Sequence, residues 1–282
     1  MLLATFNLMP DGEPGGDLLV RALAERDIDA AWVCWDDESV DWAGADLVAV
    51  RCTWDYQRRC PEFLAWARGV AAETTLLNGP DVFAWNADKA YLTDLGDLPV
   101  VPTTVLDDRT LVAGLGAAVE RWGTAVIKPA TGAGGVGVVI VHGVDDPALE
   151  GLTAAPWVVQ PLVESVRTAG EISVYVFEGQ AASRVDKLPS GGEIRVHELY
   201  GGASRPGVLD AETAALAERA VAEVGTRLGA DLSYARVDLM SYDGRLVISE
   251  LELIEPGLYL DVVPGNAAAF ADVVAARVRR TS

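Results

Sequence analysis

Apolar and polar positions along this chain follow two alternating rhythms. Period-two runs read as strands, and runs recurring near 3.6 residues read as helices. Residues 2–7 form a first apolar strand. The loop Pro10–Gly16 then leads into a helix over 17–26, with Asp17 as N-cap and Leu18, Leu19, Ala22 and Leu23 on one face. Strands follow at 30–35 and 46–51, a helix opens near Pro61, and a short strand at 75–77 precedes Asn78-Gly79-Pro80. This rhythm predicts a small open α/β sheet.

A helix over 81–95 carries Trp85-Asn-Ala-Asp-Lys89, and Pro99 and Pro102 bracket an extended linker. The pattern then shifts. A helix at 108–121, strands at 124–128 and 136–141 around a glycine loop, a helix near 145–151 and a strand at 157–160 come first. A hairpin of 171–178 and 180–187 turns at Glu178-Gly179, and a glycine-rich stretch fills 190–202. Helix 210–228, an acidic strand pair and a last helix at 264–279 close the chain. The second half reads as α+β with mostly antiparallel strands, so the fold class is α/β followed by α+β.

Composition narrows the function. A net charge of -20 opposes binding to nucleic-acid phosphates or anionic lipid, so no nucleic-acid or membrane partner is expected. An anionic ligand must then be met by a few cations focused in one cleft. No apolar run approaches the ~18 residues of a membrane span. The N-terminus reads as a strand and not a signal peptide. Cys34, Cys52 and Cys60 lack metal-site spacing and fit a cytoplasmic protein with reduced thiols. Two isolated histidines argue against a His-based zinc site or a Ser-His-Asp triad. Self-association into a homo-oligomer is left open.

The strongest chemical signal is acidic. Asp238 lies in Ala-Arg-Val-Asp-Leu, and Glu250 and Glu252 in Ile-Ser-Glu-Leu-Glu-Leu. On a strand, residues two apart share a face. Glu250 and Glu252 therefore project together, and Asp238 joins them across the hairpin that Asp243-Gly244 makes. Three carboxylates on one half-buried face are tolerable with a positive charge between them. An all-oxygen set suits Mg²⁺ and not Zn²⁺. Two solvated strand ends are the plainer alternative.

The second signal is Ile127-Lys128-Pro129 followed by glycines at 132, 134, 135 and 137. The loop joins two strands, so it is neither a Walker loop nor a Rossmann turn. Such glycines let backbone N–H groups reach phosphate oxygens, with Lys128 over the same phosphates; a plain hairpin turn is the alternative. Gln160, Leu162 and Val163 could sleeve a purine, and Glu171 could hold a ribose hydroxyl, although taken alone the stretch reads better as a buried strand with a polar end. Arg184, Lys187 and Arg195 flank a glycine-rich segment that reads as a phosphate-clamping flap or as a solvated loop.

Taken in order, these elements resemble the ATP-grasp carboxylate–amine ligases over nearly the whole chain. Lys187-Leu-Pro-Ser-Gly-Gly-Glu-Ile-Arg195 is similar to the flap of bacterial glutathione synthetases. Arg51-Cys-Thr-Trp-Asp-Tyr56, Trp85-Asn-Ala-Asp-Lys89, Ala169-Gly-Glu171 and Glu250-Leu-Glu-Leu-Ile-Glu-Pro256 most resemble the cycloserine-forming ligases, which cyclise O-ureido-D-serine. One departure is Glu252, where many members of the superfamily carry Asn.

The resemblance implies an N-terminal substrate domain over 1–98, a central ATP-grasp subdomain over 99–160 and a C-terminal one over 161–282. It implies ATP held by Lys89, Lys128, Gly134, Gly135, Gln160, Leu162, Val163 and Glu171. Two Mg²⁺, replaceable by Mn²⁺, would sit on Asp238, Glu250 and Glu252. Lys187 and Arg195 would act on the transferring phosphoryl group. At the carboxyl edge of the first sheet, Arg51 could pair with a carboxylate, Asp55 with an ammonium group, and Trp54 and Tyr56 could wall the pocket. A small zwitterionic, amino-acid-like substrate follows. An intermolecular amino-acid or dipeptide ligase, a kinase and a non-catalytic ATP sensor are the competing functions.

Overall fold

The protein is described from a computed structural model over residues 1–281, with side chains to residue 279. The first sheet contains β1 (Leu2–Thr5), β2 (Ala31–Cys34), β3 (Leu47–Val50) and β4 (Thr75–Leu76), interleaved with α1 (Gly16–Ala24) and α2 (Cys60–Glu73). Its order is β2-β1-β3-β4, with all neighbours parallel. Every residue of β3 is buried, as expected of a strand covered on both faces. The helix start differs from the pattern reading. Gly15, at φ 77, turns the chain into α1, and Asp17 stands in the first turn, paired with Arg21 at 2.7 Å.

The helix expected over 81–95 is two pieces. α3 (Pro80–Asn86) stops where Asp88 adopts an extended backbone, and a 3-10 turn occupies Lys89–Thr93. The Asp88 carboxylate accepts from the Ala90 amide at 2.9 Å, and the Lys89 amide donates to the Ala130 carbonyl at 2.8 Å. A short acidic side chain has offered the backbone a partner that competes with the helix. The break swings Lys89 toward the glycine loop.

The middle sheet has the order β5-β8-β6-β7, all antiparallel: β5 (Thr104–Leu106), β6 (Ala125–Pro129), β7 (Val139–Val141) and β8 (Trp157–Pro161), with α4 (Leu111–Trp122) packed on it. The helix expected near 145–151 is a 3-10 turn over Pro147–Gly151, capped by Asp146. β5 was hidden among the linker prolines. That linker is docked: Ile248 donates to the Pro99 carbonyl at 2.8 Å, and Val101 to the Ile248 carbonyl at 3.0 Å.

The last sheet runs β11-β10-β9-β12-β13, also antiparallel: β9 (Glu171–Phe177), β10 (Gln180–Leu188), β11 (Ala203–Pro206), β12 (Tyr234–Tyr242) and β13 (Arg245–Glu252). Two hairpins turn at Glu178-Gly179 (φ 48 and 77) and Asp243-Gly244 (φ 50 and 71). Left-handed pairs of this kind match the twist of the flanking strands. α5 (Ala211–Leu228) covers this sheet, with Leu216, Ala220 and Val224 against Val174, Val176 and Val237. α6 (Gly265–Thr281) places Phe270 and Val274 against Leu3 of the first sheet and Leu19 and Leu23 of α1. The first and last sheets therefore share a core, each such buried side chain contributing roughly 1.5–3 kcal/mol. The middle sheet has its own core around Leu106, Leu115, Ile127 and Trp157. Among the described residues, no helix is long and apolar enough to cross a membrane.

β13 is an edge strand, and its outer edge is covered by side chains. The Leu251 amide donates to the Tyr91 hydroxyl at 2.7 Å, and the Leu251 carbonyl accepts from Asn86 at 2.9 Å. The pattern continues beyond the strand. Asn78 donates to the Leu253 carbonyl, Tyr234 to Ile254, Trp54 to Glu255, Arg51 to Pro256 and Tyr175 to Gly257, while Glu13 accepts from the Leu258 amide. The segment that carries the acidic strand onward is thus a rail held by side chains from all parts of the chain.

Candidate active site

The β12–β13 register sets the site. Asp238 faces Glu250, and Arg236 faces Glu252, so both acids of β13 and both charged residues of β12 lie on one face. Arg236 donates to Asp238 at 2.7 Å and pairs with Glu252. It is the positive charge that three clustered carboxylates require. The sequence carried a signal for it, because Arg236 precedes Asp238 by two residues and so shares its face.

Two lysines complete the balance. Lys89 reaches Glu250 at 3.0 Å and the Gly132 carbonyl at 2.5 Å, joining the 3-10 turn, the glycine loop and β13. Lys187, almost fully buried, lies 2.9 Å from Glu171 and 3.6 Å from Asp238. Ser173 donates to Asp238 at 2.5 Å. Lys128 stands half-buried at the end of β6, within electrostatic reach of Glu250 and Lys89.

Burial and charge pull the titrations apart. Burial works against ionised Asp238, but Arg236 and Lys187 hold its carboxyl down to about 2. Burial also opposes ionised Glu250, and Lys89 and Lys128 outweigh it and lower the carboxyl. Glu252 goes the other way. Burial, reinforced by Asp238 and Glu250, lifts it to about 7 despite the ion pair with Arg236. Burial lowers Lys128. Burial and Arg236 oppose the charge on Lys187, yet Asp238 and Glu171 keep it above the ordinary lysine value.

Glu171 is expected to hold a ribose hydroxyl. It opens β9 directly across from Lys187 and is bound to it. Gly170 makes this approach feasible, since a Cβ there would stand 2.0 Å from the Lys187 carbonyl oxygen. The Gln160 amide is spent on the Thr103 hydroxyl at 2.8 Å, leaving its backbone as the group that could read a base edge. Val163 packs with Val101 and Val247, and Leu162 lines a cleft of about 290 Å³ between the hinge and the β12–β13 turn.

The flap is the long connection from β10 to β11, and Lys187 stands at its base. Arg195 stacks on Tyr200 at 3.6 Å and pairs with Glu193 at 2.5 Å. Its side chain lies against Gly135, where a Cβ would meet Arg195 Cδ at 3.1 Å. Gly134 and Gly135 both have positive φ, at 61 and 72. Flap and glycine loop therefore meet.

The first-sheet residues are arranged differently from the sequence expectation. Arg51 has no exposed surface. Its guanidinium donates to the Pro256 carbonyl at 2.5 Å, lies 3.4 Å from Glu13 and is sandwiched by Tyr234 and Phe270. Asp55 is buried and accepts from the Trp35 indole at 3.0 Å. Tyr56 packs against Phe63. None of the three faces an open pocket as placed, because each has been drawn into a partner the sequence order did not show. Trp54 is half-buried and holds the Glu255 carbonyl at 3.2 Å.

Whether the acids fit a metal turns on the donor set. The three carboxylates supply hard oxygen ligands from facing strand positions, which suits Mg²⁺. Among the described residues no three acidic, His or Cys side chains converge tightly enough to hold an ion, because Arg236, Lys89 and Lys187 draw the carboxylates apart. The fit is one of chemistry and placement, with rotation of the carboxylates away from those cations.

A parallel α/β sheet, a small antiparallel sheet with a glycine loop and a larger one with an acid–lysine face define an ATP-grasp ligase. A family model described as the N-terminal domain of D-cycloserine synthetase DcsG matches residues 1–78. The cycloserine biosynthesis protein DcsG of Streptomyces lavendulae is 32% identical over 268 residues, spanning 88% of this chain and 89% of that protein. A crystal structure of D-cycloserine synthetase DcsG superimposes with a TM-score of 0.84 at 28% identity, covering 98% of this chain and 99% of the other. The D-alanyl-alanine synthetase A of Vibrio cholerae shares the fold, with a TM-score of 0.67 at 16% identity and coverage of 99% and 97%. The chain belongs to the DcsG family.

Proposed function

We propose that this protein is an ATP- and Mg²⁺-dependent ligase that closes an amide bond within a small amino-acid-like zwitterion, as in the cyclisation of O-ureido-D-serine to D-cycloserine. A substrate carboxylate oxygen attacks the γ-phosphorus of ATP, and ADP leaves. The substrate's own oxygen-bound ureido nitrogen then displaces phosphate from the resulting acylphosphate and gives up its proton as the ring closes, and hydrolysis of the carbamoyl group left on that nitrogen, to CO2 and NH3, yields D-cycloserine. The observation that carries this reading is the single sheet face holding Asp238, Glu250, Glu252 and Arg236, met by Lys89 and Lys187.

The residues supply positioning and charge. Lys89 and Lys128 hold the α- and β-phosphates over the glycine loop at Gly134 and Gly135. Asp238, Glu250 and Glu252 hold two Mg²⁺, with Mn²⁺ as a substitute. Bound there, the metal neutralises the triphosphate and makes the γ-phosphorus more electrophilic. Lys187 and Arg195 meet charge on the transferring group, and the flap keeps water from the acylphosphate. The hinge at Gln160, Leu162 and Val163 takes the base, and Glu171 orients Lys187 in addition to any ribose contact. With domain limits at 98 and 160, the first unit contributes to substrate recognition. Three free cysteines suit a cytoplasmic location.

Incubation with ATP, Mg²⁺ and O-ureido-D-serine tests the reading. ADP release with no second amine, and a cyclic product by mass analysis, is expected. A requirement for a separate amine establishes an intermolecular ligase instead. Nucleotide binding without ADP release from any amino acid establishes a sensor.

A further inference from the structure

Among the described residues, the acidic side chains with least exposure are Glu13, Asp55, Asp238 and Glu255. Glu13 has Arg51, Asp55 has the Trp35 indole, and Asp238 has Arg236 and Lys187. Glu255 is 7% exposed, and its carboxylate has no ion pair and no hydrogen bond from another residue's side chain among the described residues. Burial and Glu252 raise its carboxyl well above the ordinary glutamate value, against Lys89, its own amide and Arg236, so a cationic ligand in contact would favour its charged form.

Its position indicates the ligand. Glu255 lies on the rail three residues beyond Glu252, with its carbonyl pinned by Trp54 at 3.2 Å. The carboxyl is within electrostatic reach of Glu252, Lys89 and Arg236 on the phosphoryl-transfer side. It is also within electrostatic reach of Tyr56 and Cys60 of the first unit. In an α-amino acid the ammonium nitrogen is two bonds from the carboxyl carbon. A substrate whose carboxylate meets the γ-phosphate must therefore place its ammonium group next to the acidic face. Asp55, the residue the sequence suggested for that group, is occupied by Trp35.

We propose that Glu255 binds the α-ammonium group of the substrate and so selects zwitterionic amino acids over simple carboxylic acids. The assignment rests on the zwitterionic substrate class proposed above. Glu255 is a specificity-determining residue here. No proton is transferred, and the ammonium group is a spectator of ring closure.

The experiment compares O-ureido-D-serine with its counterpart lacking the α-amino group. It reads ADP release and direct binding by calorimetry for wild type, Glu255→Gln and Glu255→Asp. Wild type should prefer the zwitterion by at least about tenfold, and Glu255→Gln should weaken zwitterion binding by about 10–100-fold while leaving the des-amino compound and ATP within about threefold. Glu255→Asp, which keeps the charge, should keep the preference; it carries the test if circular dichroism shows Glu255→Gln misfolded. ADP release by wild type with the preference unchanged in Glu255→Gln, or lost in Glu255→Asp, overturns this assignment alone. No ADP release by wild type with either compound overturns the ligase reading and the assignment together.

Discussion

Arg51 and Arg236 are both buried beside carboxylates, but their surroundings differ. Arg51 is closed between the rings of Tyr234 and Phe270, with one acid, Glu13, and two carbonyls, Pro256 and Val50. Arg236 is surrounded by several further charges: Asp238, Glu252, Lys187 and, one step further, Glu250 with Lys89. A buried charge alone therefore does not mark a site. Aromatic walls with stoichiometric partners mark a structural pair, whereas surplus carboxylates shared among several cations mark a place where a ligand's charge can enter.

The sharpest way to break this contrast is at Arg51. Arg51→Ala should destabilise the protein by about 3–5 kcal/mol, since it strands Glu13 in the core. Urea unfolding reads this. A loss of substrate affinity with unchanged stability would move Arg51 into the binding site. Arg236→Met should cut turnover by about 10²–10³-fold and destabilise less than Arg51→Ala, because Lys187 still faces Asp238 and Lys89 still faces Glu250. Equal destabilisation by both changes would erase the distinction. A smaller effect is expected at the rail. Tyr91→Phe removes the acceptor of the Leu251 amide and should cost about 1–3 kcal/mol in thermal or urea unfolding.

The smallest effect separates the flap from both arginine sites. Arg195 holds the Glu193 carboxyl down to about 2, from an ordinary value of 4.5. Because the folded value is the lower one, the stabilisation is complete above pH 4.5 and is lost as pH falls toward 2. Cleavage of the flap by an acid-active protease should rise across that window in wild type and be flat in Glu193→Gln. The pair is exposed enough that its share of stability stays below ~1 kcal/mol.

Much of this was legible in local pattern. The two-residue spacing of Glu250 and Glu252, the Asp243-Gly244 turn and the glycine loop after Lys128 all act over a few residues. Arg236 was equally local, and the same spacing rule reveals it. What pattern could not show was set by partners far along the chain. Arg51 is fixed by Pro256, 205 positions away, and Asp55 by Trp35. The helix broke at Asp88 because Ala130 offered the Lys89 amide a better partner. β5 and β11 are too short and too exposed for alternation to announce them.

Besides bonds with Tyr175, Tyr234 and Asn266, the rail from Leu251 to Leu258 takes hydrogen bonds from Tyr91, Asn86, Asn78, Trp54, Arg51 and Glu13, all six N-terminal to the glycine loop. The first hundred residues and this late stretch therefore behave as one mechanical part, though the gene writes them far apart. A chimera that borrows its front unit from another ligase must import the matching rail with it. A graft cut cleanly at the Pro99 linker would mate foreign anchors to a strand they were not shaped to hold.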